Sequence, residues 1–405
     1  MHVGQFCRVL RYLKKAIEED LLQKMVFVAG PRQVGKTTLA KALLAQSEGV
    51  YLSWDRAQDR KQMRAAIWPA TPSLIVLDEI HKWRGWKRWI KGEFDALRAV
   101  HRFLVTGSAM LDVYRRGGDS LQGRYHHYRL HPLSVAEVMR YGQASQPVPL
   151  ATPPTVTTFA QIPLDAPTRP DIVEHLMRHS GFPEPYFASS LRQVRRWSHE
   201  RQERFFREDL RDTERVVELG QIELLASLLA DRVTSLTSTN ALREDLEVSH
   251  KTVSRWINVL ERLYYCFAVY PFASSRIKGL KRMPKTYLWD LSSIEEEAAR
   301  FENLVALHLF KFCHFLQDYE GERATLHFLR LRDGKEVDFL VAVAGKPWFA
   351  VEVKLREQRV DPALRYFQTR LQIPHVYQVV LHAEHCVQQD GVIVAPAHRF
   401  LAALV

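Results

Sequence analysis

Residues 24–38 read KMVFVAGPRQVGKTT, and this stretch decides the fold. The segment 24–29, KMVFVA, is short, apolar and rich in branched residues, the composition of a buried strand. Behind it, GPRQVGKT fits the spacing G-x-x-x-x-G-K-[S/T], and 36–46 continues with helical composition. The two glycines let the backbone wrap so that its N–H groups face an anion. Lys36 supplies a point charge, and the Thr37 hydroxyl can ligate a divalent cation. The helix that follows aims its N-terminus at the same place. Gly30, Pro31, Arg32, Gln33, Val34, Gly35, Lys36, Thr37 and Thr38 are therefore the candidate residues for binding the phosphates of a nucleotide.

Working outward, further strands read at 50–54 (VYLSW), 73–77 (SLIVL) and 102–106 (RFLVT), and another begins at 128–130. Strands alternating with helical segments imply parallel βαβ units with both sheet faces covered. The strand 73–77 runs into Asp78 and Glu79. Two acids at the end of a buried strand beside a phosphate loop suit two tasks: Asp78 holds magnesium through water, and Glu79 polarises the attacking water. The strand 102–106 ends in Thr106, Gly107 and Ser108, where a hydroxyl can orient that water; Ser108 is the first choice and Thr106 the second.

The remainder is organised in blocks. Residues 143–170 are rich in Pro, Thr, Ala and Ser and read as a linker. Residues 171–230 read as helical, broken by GFPEP at 181–185, with the many arginines of 192–215 on a solvated face or, as the alternative, on a phosphate-contacting surface. Residues 234–272 resemble a helix-turn-helix with a wing, in which Ser249 caps a helix over 251–263 that offers His250, Lys251, Ser254, Arg255 and Asn258 to DNA. The basic run RIKGLKRMPK, 276–285, adds Lys278, Lys281, Arg282 and Lys285 as candidate phosphate contacts.

A second α/β pattern fills the end of the chain. GKEVDFL at 334–340 and FAVEVK at 349–354 read as adjacent strands. Glu352 and Lys354 are two apart and project from one face. If the strands pair as a hairpin, Asp338, Glu352 and Lys354 converge, with Glu302 on the preceding helix as a further ligand. Two carboxylates can hold Mg²⁺ against a scissile phosphate while the lysine orients water.

The chain has 405 residues, enough for two or three domains, with 57 Lys and Arg against 46 Asp and Glu, a net charge of +11. That balance favours an anionic partner, DNA above all. The composition excludes collagen-like, wholly disordered and disulfide-scaffold classes. Cys7, Cys266, Cys313 and Cys386 have no metal-binding spacing and read as reduced thiols. No apolar run is long enough to span a bilayer and no secretory leader is read, so the expected location is cytoplasmic, without a membrane.

These parts, in this order, resemble an AAA+ ATPase, which implies the strand order of the additional-strand P-loop class. AGPRQVGKTTL, YLSWD, LDEIHKW and VTGSAM, followed by GFPEPY and KTYLWDLSSIEE, are closer to the ATPases whose C-terminal part is the DUF4143 domain. The order of helix with Glu302, strand with Asp338 and strand with Glu352 and Lys354 resembles the PD-(D/E)xK nuclease core. The resemblance implies ATP and Mg²⁺ as cofactors and a homo-oligomer with an arginine acting in trans. Arg124 is the first candidate for that arginine, with Arg115 and Arg116 as alternatives. The expected fold is α/β: an AAA+ P-loop sheet over 1–142, the linker, a helical segment over 171–233, a winged-helix module over 234–293 and a nuclease-like unit over 294–405. The expected function is ATP hydrolysis coupled to DNA, which the last unit cleaves or recognises. The alternatives are a non-cutting motor on branched DNA, and a nucleotide switch that recruits a protein partner around an inactive nuclease-like scaffold.

Overall fold

The computed structural model describes residues 9, 11–107, 121–140, 161–165, 169–210, 218–273 and 283–405. The chain divides into two compact units, Met1–Pro132 and Leu133–Val405. Cys7, Ser108, Arg115, Arg116, Lys278, Lys281 and Arg282 lie outside the described residues, as do 143–160 and 166–168 of the expected linker.

The first unit contains α1 (Lys14–Asp20), β1 (Met25–Ala29), α2 (Lys36–Leu44), β2 (Gly49–Ser53), α3 (Ala57–Arg64), β3 (Ser73–Asp78), α4 (Trp86–Leu97), β4 (His101–Gly107) and β5 (Tyr125–Arg129). The strands are parallel, in the order β2-β3-β4-β1-β5. β4 lies between β1 and β3, which is the additional-strand order that the AAA+ resemblance implies. β1 and β3 are buried at every position, as befits central parallel strands with both faces covered. Phe27, Ile75, Leu77, Trp86, Ile90, Phe94 and Phe103 form one core on them. Burying each such side chain contributes about 1.5–3 kcal/mol. The register sets Ala29 opposite Gly107 and Arg129, and Asp78 opposite Ser53 and Thr106, so the carboxyl ends of the strands come level. β5 begins at Tyr125, earlier than its sequence suggests: YHHYR lacks an apolar run, and parallel pairing with β1 makes it a strand.

The second unit contains α5 (Val135–Met139), α6 (Pro170–His179), α7 (Pro183–Tyr186), α8 (Leu191–Arg204), α9 (Leu219–Asp231), α10 (Thr239–Asp245), α11 (His250–Arg262), β6 (Cys266–Pro271), β7 (Lys285–Leu288), α12 (Glu297–Asp318), β8 (Ala324–Arg330), β9 (Glu336–Val343), β10 (Lys346–Lys354), α13 (Pro362–Leu371), β11 (His375–Val380), β12 (Val387–Gln389), β13 (Val392–Pro396) and α14 (Ala397–Ala402). Its strands form one mixed sheet in the order β12-β13-β11-β10-β9-β8-β6-β7. β8, β9 and β10 make an antiparallel meander, and β11 runs parallel to β10 after the α13 crossover. α13 packs Leu364, Phe367 and Leu371 on Val337, Leu340 and Val376. No helix among the described residues is long and apolar enough to cross a membrane.

The helix pair α10–α11 forms where it was expected. Ser249 Oγ accepts the Thr252 N–H at 3.1 Å and caps α11. Val253, Trp256, Val259 and Leu260 form its buried face. The expected wing strand forms as β6, in a hairpin with β7, and it also joins the sheet. β6 pairs with β7 on one side and, through Tyr270 and Pro271, with β8 on the other, so the backbone of this hairpin continues the large sheet.

Candidate functional site

The phosphate loop joins β1 to α2. Gly30 has φ 154°, and a Cβ there would lie 2.4 Å from the Leu130 carbonyl oxygen, so a larger residue cannot sit there without moving backbone. Gly35, at φ 99°, turns the chain into α2. Lys36 is buried, and its Nζ donates to the carbonyls of Gly30 at 2.9 Å and Pro31 at 2.7 Å, which holds the ammonium against the loop.

Asp78 is the hub of the site. Thr37 from α2 donates its hydroxyl to Asp78 Oδ2 at 3.0 Å. Thr106 from β4 donates to Oδ1, and Tyr51 from β2 donates its phenol to Oδ2. Burial, and then the Asp78 carboxylate, push the Tyr51 hydroxyl well above the usual tyrosine range. Asp78 thus accepts from three hydroxyls at the carboxyl end of the sheet, and a carboxylate beside the Thr37 hydroxyl fits a water-bridged divalent cation. Thr106, the second choice for orienting water, bonds to Asp78 itself.

Glu79 turns out of β3 at φ 57°, a conformation non-glycine residues adopt rarely, and its N–H bonds to the Thr106 carbonyl at 2.8 Å. Its carboxylate is 3.6 Å from Lys82 Nζ and 3.6 Å from His81 Nε2. Burial lowers the His81 pKa, partly opposed by the Glu79 charge. Lys82 also binds Asp55 at 2.8 Å, and Trp83 stacks on Trp54 with ring centroids 4.9 Å apart. The LDEIHKW segment is therefore anchored on both sides of the acid.

Sequence reasoning missed two contributors. Arg11 Nη1 donates to the Val34 carbonyl at 2.7 Å and Nη2 donates to the His131 carbonyl, bracing the phosphate loop from behind. Tyr51 was read only as part of a strand. Arg124, the expected trans arginine, makes two bonds to Asp95, at 2.8 and 3.0 Å. Acting on a neighbour's phosphate requires exchanging that carboxylate.

In the second unit the structure brings Glu302, Asp338, Glu352 and Lys354 together. β9 and β10 pair as far as Phe339 and Val351 and then admit their own carboxylates. Asp338 Oδ2 accepts the Val353 N–H at 2.9 Å, and Glu352 Oε2 accepts the Asp338 N–H at 3.3 Å. Lys354 Nζ bonds to Glu352 at 2.7 Å. Asn303 makes two 2.8 Å bonds to the Leu288 backbone, which pins α12 to β7 and sets Glu302 within 2.8 Å of the Tyr287 hydroxyl. Burial, then repulsion from Asp338, pushes both Glu302 and Glu352 up to about 8.

Lys285 corrects an expectation. It was read as a solvated phosphate contact, but only 4% of its side chain is exposed. Its ammonium reaches Glu336 at 2.5 Å, Glu302 at 3.4 Å and Asp338 at 3.6 Å. Burial alone lowers its pKa, yet the three carboxylates together raise it above the usual lysine value. Among the described residues, no three His, Cys, Asp or Glu side chains are arranged to hold a metal ion.

Two basic surfaces accompany this centre. His250, Lys251, Arg255 and Asn258 are exposed on α11. A groove of about 440 Å³ between α6, α8 and the start of α12 is lined by Arg178, Arg195, Ser198, His199, Gln202 and Arg300, with no acid among its lining residues. Other arginines of α8 form the expected solvated pairs, Arg196 and Arg204 with Glu200, while Arg201 is buried against the Phe182 ring and lies 3.6 Å from Asp290.

Comparison with known proteins gives three successive family matches. Residues 22–139 match an AAA domain, 170–295 a domain of unknown function (DUF8612), and 298–400 a domain of unknown function (DUF4143). An uncharacterized protein of Mycobacterium tuberculosis is 21% identical over 394 residues, covering 93% of this chain and 81% of its own. An uncharacterized protein of Methanocaldococcus jannaschii is 23% identical over 375 residues, covering 82% and 78%. Among solved structures, the Orc1 protein of Aeropyrum pernix in complex with DNA aligns at 13% identity and TM-score 0.33, covering 74% of this chain and 93% of that one. The T158V form of RuvB from Thermotoga maritima aligns at 15% identity and TM-score 0.33, covering 69% and 96%. DUF8612 spans both the helical segment and the helix-turn-helix pair that were read as separate modules. The chain therefore carries an AAA domain followed by DUF8612 and DUF4143.

Proposed function

We propose that the chain is a Mg²⁺-dependent ATP hydrolase whose second unit binds DNA. The observation that carries the ATPase reading is the convergence of Thr37, Tyr51 and Thr106 on Asp78, beside a loop built on Gly30, Gly35 and Lys36. The loop N–H groups and Lys36 bind the phosphates. Thr37 and Asp78 would hold Mg²⁺, which supplies charge neutralisation on those phosphates when bound. Glu79, fixed in its turn and flanked by Lys82 and His81, takes up the proton of the attacking water. ATP turnover in a preparation free of other ATPases tests this reading.

The DNA reading is supported by the net charge of +11, the exposed Lys251 and Arg255 on α11, and the groove lined by Arg178, Arg195 and Arg300. It is tested by DNA binding across a salt series, together with ATP turnover with and without DNA. The expected result is a log-linear fall of affinity with salt, a slope reduced in Lys251→Ala/Arg255→Ala, and faster turnover with DNA. Turnover that ignores DNA and affinity without salt dependence would favour a nucleotide switch acting on a protein partner.

A further inference from the structure

We infer that Lys285 occupies the place of a divalent cation in the DUF4143 unit, so that this nuclease-like centre is balanced by the protein's own ammonium and does not cut DNA. This rests on the nuclease-like reading of Glu302, Asp338, Glu352 and Lys354, and is independent of the ATPase reading. The geometry is that of a cation site with the cation covalently supplied. One ammonium, with 4% of its side chain exposed, touches carboxylates from α12 (Glu302) and from two positions of β9 (Glu336 and Asp338). A lysine is withdrawn from water to this extent only when its charge is matched, and here three acids match it.

Protein donors other than Lys285 also bind these carboxylates. Glu336 Oε2 binds Arg330, and Glu302 Oε1 accepts the Tyr287 hydroxyl at 2.8 Å. Asp338 Oδ2 accepts the Val353 N–H at 2.9 Å. Glu352 is bound on Oε1 by Lys354 at 2.7 Å and on Oε2 by the Asp338 N–H at 3.3 Å. Mg²⁺ requires near-octahedral oxygen ligands at about 2.0–2.1 Å, and it would have to displace Lys285 to gain them. The residues present do not fit a resident metal. Asn303 fixes this arrangement, because its two bonds to the Leu288 backbone lock β7, and so Lys285, beside α12.

The test is Mn²⁺ binding to the full chain without nucleotide, read by electron paramagnetic resonance. The variants are Asp338→Asn, Lys285→Met, and Lys285→Met with Asp338→Asn. Wild type and Asp338→Asn should bind Mn²⁺ identically, because the ammonium excludes the metal. Folded Lys285→Met should gain one Mn²⁺ at least about tenfold tighter than any in wild type, lost again when Asp338→Asn is added. Wild-type Mn²⁺ binding that Asp338→Asn abolishes would overturn the inference, and so would a folded Lys285→Met that gains no metal. If circular dichroism shows Lys285→Met to be unfolded, the comparison of wild type with Asp338→Asn decides alone. Incubation of the wild type with linear, supercoiled and branched DNA in Mg²⁺ or Mn²⁺ should leave every substrate intact, and cleavage that Glu352→Ala abolishes would also overturn the inference.

Discussion

The Thr37 hydroxyl donates to Asp78 Oδ2 at 3.0 Å, tying the first turn of the helix after the phosphate loop to the end of β3. The two groups proposed to hold Mg²⁺ are thus in contact. Asp78→Asn should raise the Mg²⁺ concentration for half-maximal turnover by about 10- to 100-fold. Tyr51→Phe should do the reverse. It removes a phenol that draws on the Asp78 charge, and one hydrogen bond of ~1 kcal/mol corresponds to about fivefold tighter Mg²⁺. Turnover measured against Mg²⁺ concentration checks both, and an unchanged midpoint in Asp78→Asn would remove that residue from the metal site.

Arg124 is engaged by Asp95 within its own chain. Arg124→Ala is therefore expected to keep ATP turnover within about threefold of wild type, whereas losing a true trans arginine costs about 10³- to 10⁵-fold. Steady-state turnover at saturating ATP distinguishes the two. A drop of the larger size would mean that Arg124 leaves Asp95 in an assembled state.

His308 gives the second unit a defined acid sensitivity. Its Nδ1 donates to the Leu304 carbonyl at 2.8 Å, and its Nε2 accepts the Val135 N–H at 3.1 Å, so the ring is neutral. Burial, with a smaller push from Lys311, lowers its pKa to about 4. The unfolded chain binds the proton more tightly. This contribution is therefore complete above about pH 6.5 and is lost as pH falls through about 4, on the order of 3 kcal/mol in all. Unfolding midpoints measured from pH 7 to pH 4 should fall more steeply for wild type than for a folded His308→Gln. Equal slopes would contradict this origin.

How far the sequence revealed these sites depended on whether the partners are neighbours in the chain. GPRQVGKT and LDE each place their chemistry within a few consecutive residues, so the loop, Lys36, Thr37, Asp78 and Glu79 could be read directly, and the strand order followed from the AAA+ resemblance. Asp338, Glu352 and Lys354 could be read because a hairpin brings its two strands together by local geometry. Arg11 gave no signal, because its bonds to the backbone carbonyls of Val34 and His131 are ones that no spacing encodes. Lys285 was misread because it ends the basic run RIKGLKRMPK, while the acids that bury it come from positions 302, 336 and 338. The sheet pairing of the expected wing strand could not be read for a related reason: the strand 266–271 carries no mark that its last residues pair with β8.

Hydrolysis of ATP by the first unit is tested by measuring nucleotide binding and turnover side by side for wild type, Lys36→Ala and Glu79→Gln. Wild type should show Mg²⁺-dependent turnover, and Lys36→Ala should bind ATP far more weakly. Glu79→Gln should bind ATP with wild-type affinity and turn it over at least about 10²-fold more slowly. A folded Glu79→Gln protein that hydrolyses ATP at the wild-type rate, or a folded Lys36→Ala protein with unchanged ATP affinity, would contradict it.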